Sequence, residues 1–503
     1  MRYEAYNNKL ALTNGILSHK TPRSAPHPSN MMKNHPRWII LSSLCLAAAA
    51  SSFSKPHPSS KLRIRQVLVV HRHGDRTPIT PMKDEDYWQK TLPEPHVLDG
   101  IAKGTTLIRP PEGGPKKHGA AGRGPFGQLT LMGLLQMVSL GERLKEELEH
   151  SHHAEDDESH PFVNQGRLFT PKKPLHPSRV KVMSTDFPRT VQSVQALLTG
   201  MFPDANNSPI EIDLQHTNTY FIPDPQPRQY KQQLALESYL SKRPHLAERE
   251  GKLRELAHRV TDALEGHLGE GAKGVSFGIG EEKDASQAKT RQPLAWAQLS
   301  EILVCLHSRE LLPPTLSEED VQAVSNHVAW RWFENLGHPV LAKTAMWKFA
   351  SRLVENMQRK ADEHGAESTI EMTIEEYEQE CIEEPWLCIY SAHDSTLIGL
   401  LCVLQLEQPV EWPEYGSALK VELIREENEL QPTKMMQHWV RFSLNGQVLR
   451  STWLTDDNNE PSTMVPLNQL ADMIQSEHEL FEDEGVDGSG LKYSWRDGLL
   501  KEH

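Results

Sequence analysis

The run Val67-Leu68-Val69-Val70-His71-Arg72-His73-Gly74-Asp75-Arg76-Thr77-Pro78 decides how this chain is read. Its apolar half predicts a buried strand over residues 64–71, and the residues after it predict a tight turn at the strand's end. A histidine flanked by two arginines sits on that turn. Guanidinium groups present rigid forks of donors that match a tetrahedral oxyanion such as phosphate. An imidazole held between them is placed to attack phosphorus.

Two further segments repeat the pattern of strand, reactive turn and helix. Residues 179–183 are strand-like and lead to Ser184-Thr185-Asp186-Phe187-Pro188-Arg189-Thr190, with a helix expected over 190–201. Residues 386–390 form a short apolar strand ending at Ser391-Ala392-His393-Asp394, with a helix expected over 396–406. Thr130 opens a long amphipathic helix whose apolar positions Leu131, Leu134, Leu135, Val138 and Leu144 recur at helical spacing. Residues 419–425 read as a strand. Residues 439–444 and 447–450 read as a hairpin turned by Asn445-Gly446. This alternation predicts an α/β fold, a mainly parallel central sheet with helices on both faces. Ligands of such sheets bind at the carboxyl ends of the strands, which would bring residues 72, 189 and 393 into one pocket.

The remaining organisation is expected as follows. Residues 1–60 are a targeting segment and linker, and 61–227 are the first part of the α/β core. Residues 228–380 read as a helical cap, with helical patterns at 229–240, 252–268, 293–307 and 318–336 and a mobile insertion near 269–291. Residues 381–475 complete the core, and 476–503 are an acidic tail. The Gly/Pro-rich stretch 79–127 reads as loop.

Taken together, the seven-residue motif Arg72–Pro78, the segment Ser184–Thr190 and the His393-Asp394 pair resemble the histidine acid phosphatases, branch 2 of the histidine phosphatases. Gly127-Gln128-Leu129-Thr130, Gly133, Gln136-Met137 and Leu140-Gly141-Glu142-Arg143-Leu144 resemble the lysophosphatidic acid phosphatase subgroup. The resemblance runs from about Arg65 to about Ile474 and is weakest in the cap. It implies a phosphoglycerate-mutase-like core and a metal-independent phosphomonoester hydrolase needing no cofactor. It implies that His73 is the nucleophile and forms a phosphohistidine. Arg72, Arg76, Arg189 and His393 would then bind the phosphoryl group, and Asp394 would be the proton donor. The implied substrate is lysophosphatidic acid or a similar lipid phosphate, with a phytase-like activity as the alternative. A catalytically silent, phospho-ligand-binding member would be expected to lack His73, His393 or Asp394, and all three are present.

The physics of these residue types agrees. Phosphate-ester cleavage needs charge neutralisation and in-line positioning, which three arginines and a histidine supply. A carboxylic acid beside a phosphate dianion has its pKa raised by like charge, so it keeps a proton to donate. Taken singly, these residues mean less. Asp394 alone would cap the helix after it, Arg189 alone would be a surface residue, and Asp75 would pair with a neighbouring arginine.

A net charge of −14 over 503 residues argues against a nucleic-acid partner and leaves any anionic substrate to be drawn by a local positive pocket. Residues 38–47 are apolar, preceded by Lys33 and Arg37 and followed by small residues, which is the pattern of a secretory signal. The run is shorter than the roughly 20 residues of a membrane span, so no stable span is expected after processing. The polar preface holds Arg2, Lys9, Lys20 and Arg23 against Glu4, which also fits a mitochondrial presequence; an anchor formed by residues 38–50 is a third alternative. Four cysteines lie outside this segment. Cys305, Cys381, Cys388 and Cys402 fit either two disulfides or buried free thiols. His150-Ser151-His152-His153 lies in an acidic polar stretch and reads as solvated loop, not a metal site.

Overall fold

A computed structural model describes residues 56, 61–109, 123–149, 175–203, 209–215, 243–272, 292–362, 385–409, 411–427, 437–456 and 459–475. The expected signal segment, the helix at 229–240, the histidine cluster at 150–153, most of the 269–291 insertion, Cys381 and the acidic tail lie outside these residues.

In chain order the elements are β1 (Lys61–Arg72), α1 (Glu85–Lys90), α2 (Pro95–Ala102), β2 (Thr105–Ile108), α3 (Leu131–Glu149), β3 (Val180–Thr185), α4 (Pro188–Met201) and β4 (Ile210–Gln215). There follow α5 (Pro244–Glu265), α6 (Trp296–His307), α7 (Glu318–Leu336), α8 (Pro339–Asp362), β5 (Leu387–Ala392) and α9 (Asp394–Val403). The last are β6 (Ala418–Glu427), β7 (Gln437–Leu444), β8 (Gln447–Val448), β9 (Val465–Pro466) and α10 (Leu467–Gln475).

The strands join in the order β2-β4-β3-β5-β1-β6-β7-β8, with β9 on β7. The half that carries the motifs is parallel: β2 with β4, β4 with β3, β3 with β5 and β5 with β1. From β6 onward the pairing is antiparallel. Asn445 and Gly446, both at positive φ, turn the β7–β8 hairpin.

The unbroken apolar runs of β1 and β5 follow from burial on both faces. Val67 and Val69, with Leu387 and Ile389, face a core shared with Leu134, Met137 and Leu144 of α3 and Val194 and Leu197 of α4. Leu68 and Val70, with Cys388 and Tyr390, face a second core built with Met346 and Phe349 of α8, Leu397 and Leu401 of α9, and Leu470 of α10. A third cluster joins α5, α6 and α7 through Val260, Leu264, Leu299, Ile302, Leu303 and Val324, and takes in Trp88 and Phe126. Cys305, Cys388 and Cys402 are buried free thiols, so three of the four cysteines follow the thiol alternative.

Two expectations need correction. The stretch 79–127, read as loop, contains α1, α2 and β2. Elements this short hold too few turns to show a helical period. The 24-residue helix α8, for which the sequence suggested no separate element, lies against the sheet. Its inward face joins Ala342, Ala345 and Ala350 to Leu341, Met346, Phe349, Leu353 and Met357, a helical spacing that the sequence itself carries.

Helices α3 and α4 approach backbone to backbone. A Cβ on Gly141 would lie 2.0 Å from the Leu197 carbonyl oxygen, and one on Gly200 would lie 2.1 Å from that of Val138. The Gly141→Ala variant is expected to lose about 1–3 kcal/mol of unfolding free energy through forced separation of the pair, measured by urea titration.

Candidate active site

Adjacent parallel strands β3, β5 and β1 end at one level, with Ser184 opposite Ser391 and Arg72 opposite Ala392. Their three reactive turns therefore converge. His73, Arg72, Arg76, Arg189 and His393 are all buried at this end of the sheet, and Asp394 keeps 22% of its side chain exposed.

The turn after β1 is fixed by backbone contacts. His73 N–H donates to Ala392 O (3.1 Å), Gly416 N–H donates to His73 O (3.1 Å), and Gly74 N–H donates to Ser193 Oγ (3.1 Å). Gly74 is required sterically: a Cβ there would lie 2.3 Å from Gly133 O, at the start of α3. Asp75 pairs with an arginine, as its position suggested, though not with one neighbouring it in the sequence. That arginine is Arg309, just beyond α6, and Thr130 Oγ1 also donates to Asp75 Oδ2 (2.5 Å).

The His73 ring is oriented by its own backbone. Nδ1–H donates to Gly74 O (2.8 Å), which puts the lone pair of the neutral ring on Nε2. Burial, then Arg189, Arg72, His393 and Arg76, hold the His73 pKa well below the usual histidine value, so the ring is neutral at mildly acidic pH. The His393 ring stands edge-on to it, centroids 5.6 Å apart, and lies 3.1 Å through Nε2 from Thr185 Oγ1. Burial, then Arg189, also lower the His393 pKa.

The guanidiniums are held by different means. Arg72 Nη2 pairs with Asp394 Oδ2 (2.9 Å), Nη1 donates to Pro413 O, and the group lies 4.0 Å over the Tyr415 ring. Arg76 Nη1 donates to Glu301 Oε2 (3.0 Å) and to Thr77 O (2.9 Å). The Nε atoms of Arg72 and Arg76 are buried and have no hydrogen-bond partner among the described residues. Arg189 stacks on Phe187 at 4.6 Å. Burial, then Arg76, bring the Arg189 pKa down to about 9, against the pull of Asp394. Burial is the larger cause and the nearby cation adds to it, and a bound anion relieves both.

Asp394 begins α9 and accepts from Ser395 N–H (2.8 Å) and Trp412 Nε1–H (3.1 Å) besides Arg72. Burial favours its neutral form, but Arg72, His393 and Arg76 outweigh it, and the carboxyl lies below its usual range. Among the described residues, no group of three or more His, Cys, Asp or Glu side chains could hold a metal ion.

The motif residues thus meet, and Glu301, Arg309, Trp412 and Tyr415 join them from parts of the chain that sequence reasoning left unassigned. Glu301 had a legible signal, being the one acid in the apolar helical run Leu299–Leu306. Arg109, just after β2, pairs with Asp186 (2.9 Å). Lys83 is exposed.

Residues 63–270 and 281–445 match the model of the histidine phosphatase superfamily (branch 2), and the chain belongs to this family. It is accordingly an enzyme that hydrolyses phosphomonoesters. It is similar to counting factor 60 of Dictyostelium discoideum, 24% identical over 78% of this chain and 83% of that protein. It is also similar to lysosomal acid phosphatase of Rattus norvegicus, 24% identical over 74% of this chain and 70% of that protein. A shorter match, 31% identical, joins it to lysophosphatidic acid phosphatase type 6 of Bos taurus, covering 31% of this chain and 35% of that protein.

The buried histidines predict acid lability. His71, fully buried on β1, donates from Nδ1 to Arg72 O (3.1 Å), and burial lowers its pKa to about 4. Its folded value lies below the unfolded one, so its contribution is present above about pH 6.5 and is lost as pH falls toward 4. Wild-type stability should decline over that window with a steeper slope than that of His71→Asn. The excess should approach about 1.4 kcal/mol per pH unit, followed by denaturant titration at each pH.

Proposed function

We propose that the chain hydrolyses phosphomonoesters through a phosphohistidine on His73, with Asp394 as proton donor. The observation that carries this reading is the Nδ1–H to Gly74 O bond, which puts the lone pair of the neutral ring on Nε2, in a buried site that feels the charge of three guanidiniums. The Nε2 lone pair attacks phosphorus as the P–O ester bond breaks. Arg72, Arg76, Arg189 and His393 take up the phosphoryl oxygens, and the arginines offset the charge of the transition state.

The leaving alkoxide takes its proton from Asp394. A bound phosphate dianion competes for Arg72 and adds like charge beside Asp394, and both effects raise a carboxyl that the arginines otherwise keep ionised. In the second half, water attacks phosphorus and gives a proton to Asp394 as the P–N bond breaks, which restores His73.

The reading predicts that His73→Ala loses p-nitrophenyl phosphate turnover by at least about 10³-fold. Activity equal to wild type would refute the phosphohistidine. Asp394→Asn should slow an alkyl phosphate by about 10²-fold or more, and the aryl ester much less, because p-nitrophenolate leaves without a proton. Equal slowing of the two would remove Asp394 from the acid role.

For the alcohol side we propose lysophosphatidic acid or a similar lipid phosphate, delivered on a secretory or lysosomal route. The subgroup-like segment Gly127–Leu144 and the name of the Bos taurus relative support the substrate. The name of the Rattus norvegicus relative supports the route. Among the described residues, no helix is long and apolar enough to cross a membrane. Trp412, which donates to Asp394 (3.1 Å), packs edge to face on Trp332 (5.8 Å), and its half-buried indole supplies apolar surface next to the proposed acid. Turnover of lysophosphatidic acid, phytate and a sugar phosphate should rank the lipid phosphate first by at least about tenfold in kcat/KM; a phytate preference would replace the lipid reading.

A further inference from the structure

We propose that α6 is a positioning element for catalysis, and that Glu301 on this helix selects which edge of Arg76 faces the phosphate. The proposal rests on the phosphate-binding role given to Arg76 above.

Glu301 is a buried carboxylate with its acceptor sites almost filled. Oε2 accepts from Arg76 Nη1 (3.0 Å) and from Ile79 N–H (3.0 Å), and Oε1 accepts from Thr80 N–H (2.9 Å). So fixed, it has little freedom to act as a base, and it ties the 76–80 turn to the helix. Its effect on Arg76 is directional. With Nη1 committed to Glu301 and Thr77 O, the edge that contains Nε remains for an anion, and that Nε is the buried donor lacking a partner among the described residues.

Two more contacts come from the same side of α6 and its continuation. Cys305 Sγ lies 3.4 Å from Arg76 O, and Arg309 forms an ion pair with Asp75, its Nη1 3.4 Å from Oδ1. Positions 301, 305 and 309 are spaced four apart, as one helical face requires. The other side of α6 is held by Leu299, Ile302, Leu303 and Leu306 in the core shared with α5 and α7. Packing in those helices thereby fixes the register of α6, and the register of α6 fixes Arg76.

The charge on Glu301 gives this role a signature that a merely structural one lacks. A carboxylate beside the phosphate site weakens ground-state binding of an anion, while the orientation it imposes favours in-line attack. Turnover and anion affinity should therefore separate in Glu301→Gln, which keeps the shape and one acceptor oxygen. The measurements are kcat on p-nitrophenyl phosphate and the inhibition constant of inorganic phosphate, with circular dichroism to establish folding. We expect kcat to fall by at least about tenfold while the phosphate inhibition constant stays within about threefold of wild type or decreases. A smaller fall in kcat, or a larger rise in the inhibition constant, overturns the proposal. If the glutamine variant does not fold, Glu301→Asp, which retains the charge but withdraws it by one methylene, is judged by the same two limits. His73→Ala assayed alongside separates the failures. Its full activity would refute the phosphohistidine reading, whereas a dead His73→Ala with an unimpaired Glu301→Gln would refute only the role of α6.

Discussion

The burial of Arg72, Arg76 and Arg189 together at one end of the sheet is the constraint around which this molecule is organised. The three guanidiniums are buried at the ends of adjacent elements, where water screens them poorly. Their crowding shows in the pKa of Arg189, lowered by burial and then by Arg76. Each is anchored from outside the cluster: Arg72 by Asp394 and Pro413 O, Arg76 by Glu301, Arg189 by stacking on Phe187. A pocket held this way, charged and rigid before any ligand arrives, suits phosphoryl transfer, in which the protein supplies position and charge more than covalent chemistry.

The same crowding sets the protonation states of the histidines. His73 and His393 are neutral because burial and the arginines both oppose a further positive charge. The imidazole is thereby kept neutral at acid pH, where a free one would already be protonated. Its cost appears in stability, since buried neutral histidines favour the unfolded chain as pH falls.

Much of the sheet and the convergence of the motifs were legible in the chain. Continuous apolar runs at Val67–Val70 and Leu387–Tyr390 signalled strands covered on both faces, and the structure divides their alternate residues between two cores. The short elements α1, α2 and β2 were not legible, because one or two turns carry no period. The partners of the site residues were hidden for another reason. Glu301 is 225 positions from Arg76, and Arg309 is 234 from Asp75. No local pattern encodes such a pairing, although an acid inside an apolar helix face marks a residue in need of one.

By itself, the sequence determined the reactive groups and their local settings: a histidine between arginines on a turn, a second histidine with an aspartate at a helix start, and a third arginine at another. These are properties of a few consecutive residues, so backbone propensity and side-chain chemistry suffice to specify them. Only the tertiary structure decided which nitrogen of His73 donates to Gly74 O, which Arg76 nitrogen pairs with Glu301, and that a helix from the α5–α7 cluster, not only the sheet, holds the turn after β1. Those outcomes depend on hydrogen bonds and steric contacts between segments distant in the chain, such as the Gly74–Gly133 approach and the Glu301–Arg76 pair, which exist only once the layers have packed.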